Sequence, residues 1–118
     1  MTREAITKAN NDLNAMTAAG KILDALEAFY ADDCTFHEGN QPPRKGRKTQ
    51  HDHLSAFFKT LKAFNGATLR SVGVGDDVTL NEWTFDMVGP NGPILWNEIL
   101  VRRWRDGKVA SERYYTAA

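Results

Sequence analysis

The 118-residue chain carries fifteen basic and fifteen acidic residues, is 42% hydrophobic and contains a single cysteine. That length supports one hydrophobic core and not two, and the ordinary composition excludes disordered, collagenous and disulfide-scaffold classes. The cancelled charge removes the broad electrostatic drive of nucleic-acid and anionic-membrane binders.

Residues 1–118 are therefore expected to form one domain. No apolar run approaches the ~20 residues of a membrane span, and no apolar leader follows Met1, which points to the cytoplasm. Cys34 has no disulfide partner and sits in a strand-like run, as a buried thiol would. The basic cluster Arg44, Lys45, Arg47, Lys48 adjoins Pro42-Pro43 and has no interleaved aromatics, so it reads as a solvated loop.

Ile6, Ala9, Leu13 and Met16 recur at helical spacing, with Thr2 available as an N-cap. Gly20 interrupts this helix, and Ile22, Leu23, Leu26, Phe29 and Tyr30 form a second stripe that Ala31-Asp32-Asp33 ends. Cys34 to Glu38 has a β-branched and an aromatic residue and no Gly or Pro, which predicts a short strand. Gly39 to Gly46 is a loop. Thr49 then caps a third helix marked by Leu54, Phe57, Phe58, Leu61 and Phe64, which Asn65-Gly66 stops.

The rest alternates strand and turn: Ala67 to Val74, Val78 to Val88, Ile94 to Trp104 and Lys108 to Thr116. Gly75-Asp76-Asp77, the run from Gly89 to Pro93, and Arg105-Asp106-Gly107 supply the turns. Sequential strands on short turns make an antiparallel meander. The predicted class is thus α+β, three N-terminal helices on one face of a curved antiparallel sheet, with a concavity between the layers.

The register of the last hairpin decides which side chains share that concavity. A three-residue loop with Gly107 in a left-handed bulge pairs Trp104 with Lys108 and Glu98 with Tyr114. Trp96, Glu98, Leu100, Arg102, Glu112 and Tyr114 then share one face, and Ile99, Val101, Val109 and Tyr115 the other. A two-residue Asp-Gly turn pairs Trp104 with Val109 and sends Glu112 to the face opposite Glu98. An apolar outer face predicts a homodimer packed through the convex side of the sheet.

The run Tyr30-Ala31-Asp32-Asp33-Cys34-Thr35-Phe36-His37-Glu38, with Gln41-Pro42-Pro43, Gly46-Arg47 and the hairpin Val101 to Val109, resembles the nuclear transport factor 2-like superfamily. That group includes SnoaL-like polyketide cyclases and ketosteroid isomerase. The resemblance spans nearly the whole chain and implies a cone-shaped, cystatin-like half-barrel, commonly dimeric, with a pocket between helices and sheet. In ketosteroid isomerase a carboxylate just after such a run moves a proton at carbon, and Glu38 matches it. The two oxyanion-stabilising positions of that enzyme fall near Leu13 and Leu100, which donate no hydrogen bond, so the resemblance does not extend to steroid isomerisation.

Three carboxylates are candidate acid–base groups: Glu38, as base or as an ion-pair partner of Arg44, and Glu98 and Glu112, as catalytic partners or as ion pairs of Arg102 or Arg113. Tyr30, His53, Phe57, Trp83, Phe85, Trp96, Leu100, Arg102 and Tyr114 are candidate pocket residues. His51 and His53 lie two apart on a helix, roughly 200° around it, and cannot chelate one ion. No metal and no cofactor is expected. The reading is a cofactor-independent pocket for a small, largely apolar ligand, with proton transfer or hydration at Glu38. The alternatives are a non-catalytic ligand-binding dimer and a protein-interaction module using the convex face.

Overall fold

The computed structural model of the protein describes residues 1–117. Helix α1 (Arg3–Ala18) starts where Thr2 Oγ1 accepts the Ala5 amide at 3.0 Å. It stops at Gly20, whose φ of +79° lets the Lys21 and Gly20 amides donate back to Met16 and Thr17 carbonyls. Helix α2 (Ile22–Phe29) ends one residue before its stripe does: Tyr30 is already extended and opens strand β1 (Tyr30–Glu38), pairing with Val109. Its side chain stays buried, so the apolar period survives the change of backbone.

The loop after β1 holds a two-residue strand, β2 (Arg44–Lys45), paired with Thr35 and Phe36. Helix α3 (Arg47–Thr60) begins at Gly46, not at the expected cap Thr49. The φ of +96° at Gly46 suits glycine, and its amide is held by the Cys34 carbonyl at 2.8 Å. The third apolar period also crosses an element boundary. Leu61 is extended, Lys62 donates to the Val88 carbonyl at 2.7 Å, and Phe64 belongs to strand β3 (Ala63–Val74), where Asn65 is a bulge and not a helix stop.

Strands β4 (Val78–Gly89), β5 (Gly92–Arg105) and β6 (Lys108–Thr116) complete the meander, and the turn after Gly89 is a tight two-residue one. The sheet order is β2-β1-β6-β5-β4-β3, with β1 and β6 parallel, so the sheet is mixed and not wholly antiparallel. Nothing local announces that pairing, because β1 and β6 are joined only through the whole intervening chain. The three helices lie on one side of this sheet. Among the described residues no helix is long and apolar enough to cross a membrane.

The last hairpin combines features of both expected registers. Its turn is the two-residue one, with Asp106 at φ +51° and Gly107 at +84°, pairing Arg105 with Lys108 and Trp104 with Val109. Ala110 is then bulged out, so Arg103 pairs with Ser111, Arg102 with Glu112, Leu100 with Tyr114 and Glu98 with Thr116. Glu98, Arg102 and Glu112 therefore do share the concave face, although Glu98 faces Thr116 and not Tyr114. Val109, expected outside, packs inside beside Trp104 and is fully buried, because it precedes the bulge.

Candidate functional site

A cavity of about 440 Å³ opens between the three helices and the concave face of the sheet. Its walls are mostly apolar: Leu13, Leu26, Phe85, Met87 and Leu100, with Phe57 of α3 stacked on Trp96 of β5 at 5.1 Å between ring centroids. Three carboxyl groups reach it, and their surroundings give them different chemistry.

Glu112 is the innermost. It is 4% exposed and paired with Arg102, 1% exposed, whose Nε donates to Oε2 at 2.9 Å. Tyr30 donates its hydroxyl to the same oxygen, and Tyr114 donates to Oε1 at 2.7 Å. Burial, reinforced by the Glu112 charge, holds both phenols well above the usual tyrosine range, so they stay protonated donors. Arg102 Nη1 donates to Asn10 and Asn14 of α1 at 2.9 and 2.7 Å, and both amides donate in turn to Asn81 Oδ1. Glu112 thus accepts three hydrogen bonds from protein donors. This arrangement fixes α1 to the sheet and leaves little of the carboxylate for a ligand.

Glu38 stands at the rim. Its side chain is half exposed, with Arg44 Nη2 at 2.7 Å and His53 Nε2 at 3.8 Å. Gln50, 1% exposed, links this rim to the interior: it accepts from Arg44 Nε at 2.8 Å and donates to the Tyr114 hydroxyl at 3.1 Å.

Glu98 lies between these two, on the apolar wall one alternation after Trp96. Its hydrogen-bond partner among the described residues is the Thr116 hydroxyl at 3.1 Å, and no cation pairs with it there. Burial pushes its carboxyl up to about 7, and the charges of Glu112 and Glu38 push the same way against the Thr116 hydrogen bond.

Tyr30, Phe57, Phe85, Trp96, Leu100, Arg102 and Tyr114 line the cavity with the three glutamates. His53 does not: it is a rim residue beside Glu38, because it points along the exposed side of α3. Trp83 lies behind the wall, wholly buried and stacked on Phe85 at 5.6 Å, its Nε1 without an acceptor among the described residues. Burial, with the Glu112 charge, pushes the Cys34 thiol far up and makes it unreactive. Among the described residues no three His, Cys, Asp or Glu side chains converge as a metal site would require. Sequence reasoning missed Gln50, Asn10, Asn14 and Asn81. The one available signal was two asparagines four apart inside the apolar stripe of α1.

Helices closing over a coiled mixed sheet around one apolar cavity define a nuclear transport factor 2-like, or cystatin-like, α+β protein. The model of the SnoaL-like domain matches residues 12–112, and the chain belongs to that family. Solved structures agree on the fold. A protein from Mesorhizobium loti described as a SnoaL-like polyketide cyclase superposes with a TM-score of 0.84 at 18% identity, over 93% of this chain and 97% of that one. An NTF2-like protein of unknown function from Burkholderia xenovorans gives 0.79 at 24% identity, over 99% and 86%. A protein of unknown function with a cystatin-like fold from Xanthomonas campestris gives 0.81 at 15% identity, over 100% and 92%. No curated protein sequence is significantly similar to the chain.

Proposed function

We propose that the cavity binds a small, largely apolar ligand and that Glu98 gains or loses a proton where it meets the ligand's polar end. The observation that carries this reading is a carboxyl group without a cationic partner, set in an apolar wall and titrating at about 7. A group poised there both accepts and returns protons at neutral pH. Glu38, whose carboxylate is tied to Arg44 in water, serves at the rim. Leu13 and Leu100 line the cavity and donate no hydrogen bond, so an enolate would find no support from them, which argues against steroid isomerisation.

Carbon-13 titration of the glutamate carboxyls, with Glu98→Gln for assignment, is expected to place one midpoint near 7. A Glu98 midpoint at the ordinary ~4.3 would remove it from this role. For any substrate found by native mass spectrometry of retained ligand, Glu98→Gln should lower the rate ~10²–10⁴-fold. Glu38→Gln should leave that rate within about threefold, because an exposed ion pair contributes little.

A second reading, a pocket that holds its ligand without turnover, is favoured by the committed phenols: Tyr30 and Tyr114 spend their protons on Glu112. An unchanged rate in Glu98→Gln would select it.

The partner we propose is a second copy of the chain on the convex face. Leu80, Ile99 and Tyr115 are exposed there and adjoin Val101 through the pairs Leu80–Val101 and Ile99–Tyr115. A two-fold axis lets such a strip cover itself. Sedimentation equilibrium should give twice the 13.2 kDa chain mass, and Ile99→Lys should return it to one. A wild-type monomer at tens of micromolar would overturn this.

A further inference from the structure

The proton-exchanging cavity leaves open what its ligand carries at the polar end, and the donors, acceptors and charges of the wall answer that. Several donors around the cavity are spent on protein acceptors, while the Trp96 indole N–H and the Tyr115 hydroxyl have no hydrogen-bond partner among the described residues. Tyr30 and Tyr114 donate to Glu112, Gln50 to Tyr114, Thr17 to the Leu13 carbonyl and Thr116 to Glu98. Of the three lining carboxyls, Glu98 is the one that no cation pairs with among the described residues, since Glu38 is paired with Arg44 and Glu112 with Arg102.

Charge points the same way. Of the charged lining residues, Arg102 is held by Glu112, Asn10 and Asn14, and Glu38 is held by Arg44. The groups that face Glu98 are Glu112 and the Thr116 hydroxyl from β6, Glu38 from β1 and the Trp83 ring from β4, all of them negative or neutral. An anionic ligand end would be repelled there, and a cation would supply the missing partner.

The neighbour on the mouth side is aromatic. Trp96 precedes Glu98 by two residues on the same face of β5, about 7 Å along the strand. Its indole is partly exposed, with one face stacked on Phe57 of α3. An indole face beside a carboxylate is a strong setting for an ammonium group.

Building on the proton-exchange reading above, we propose that the ligand is a hydrophobic amine, its flat apolar body in the cavity and its ammonium between the Glu98 carboxylate and the Trp96 ring. An alkyl ammonium keeps its proton to about pH 10, as lysine does. Docking it beside Glu98 favours the carboxylate, so near neutrality the complex forms with release of the proton that Glu98 carried.

The test is isothermal titration of the full chain with 2-naphthylmethylamine and with 2-naphthylmethanol, probes of one shape that differ in charge. At pH 8 the amine should bind at least about tenfold more tightly than the alcohol. That advantage should shrink severalfold at pH 5.5, where Glu98 holds its proton. Near pH 7, two buffers of different ionisation enthalpy should reveal release of a fraction of a proton. Glu98→Gln should abolish the preference, so that the variant binds the two probes alike. Equal affinities for the two probes at pH 8, or a preference that survives Glu98→Gln, would overturn the amine assignment and leave the cavity reading standing. Failure of both probes to bind would overturn the two together.

Discussion

Glu112→Gln is expected to cost the fold about 3–5 kcal/mol, because it leaves Arg102 buried without its counter-charge. The guanidinium is 1% exposed, and the two asparagine oxygens that also hold it are neutral. The Tyr30 and Tyr114 hydroxyls meanwhile lose an ionised acceptor for a weaker one. Urea denaturation followed by tryptophan fluorescence would measure the loss, a large share of the ~5–15 kcal/mol typical of a whole domain. Pairing Arg102→Met with Glu112→Leu should cost less than Glu112→Gln alone, since no orphan charge then remains. A single-variant loss under about 1 kcal/mol would mean that water reaches the guanidinium, contrary to its burial.

Glu98 should make stability fall as pH rises. Its folded pKa of about 7 lies above the ~4.3 of an unfolded glutamate, so between those values the folded state binds more protons. The favourable contribution is fully present below about pH 4 and is lost as pH climbs through 7. The whole swing is on the order of 3 kcal/mol. Glu98→Gln carries no titrating proton, so the difference between wild type and variant isolates this group from every other carboxylate. The variant should be the more stable protein at pH 8, and its advantage should vanish near pH 4. Parallel stability curves for the two proteins would refute the placement of this carboxyl in an apolar wall.

Helices α1 and α2 were legible because their apolar periods coincide with a real N-cap at Thr2 and a glycine stop at Gly20. The reading slipped where one apolar period ran through two backbone conformations. Tyr30 and Phe64 keep the core-facing spacing of the helices before them while already belonging to strands, and side-chain spacing alone does not report that change. The parallel β1–β6 pairing was invisible for another reason: it is a contact between distant segments, set by where the finished meander leaves room.

The candidate site was legible as a list of residues and not as a division of labour. The bulged hairpin puts Glu98 and Glu112 on the same face, yet Glu112 is surrounded by Arg102, Tyr30 and Tyr114 and Glu98 by Trp96, Thr116 and like charges. Those surroundings come from α1, β1 and β6 meeting across the sheet, and no spacing along one strand encodes them. Glu38 illustrates the converse, since the resemblance singled it out as the candidate base while its carboxylate is bound to Arg44 at the rim.

Ala110 contributes no side-chain chemistry, yet it acts as a phase shifter for everything after it. Were the bulge lost and Ala110 paired with Arg103, β6 would shift by one residue, turning Arg113 and Tyr115 inward and Glu112 and Tyr114 out to solvent. The polar end of the cavity is thus set by the parity of a hairpin: the one-residue bulge fixes which face every side chain from Ser111 onward presents, and a regular ladder through the same residues would exchange the two faces.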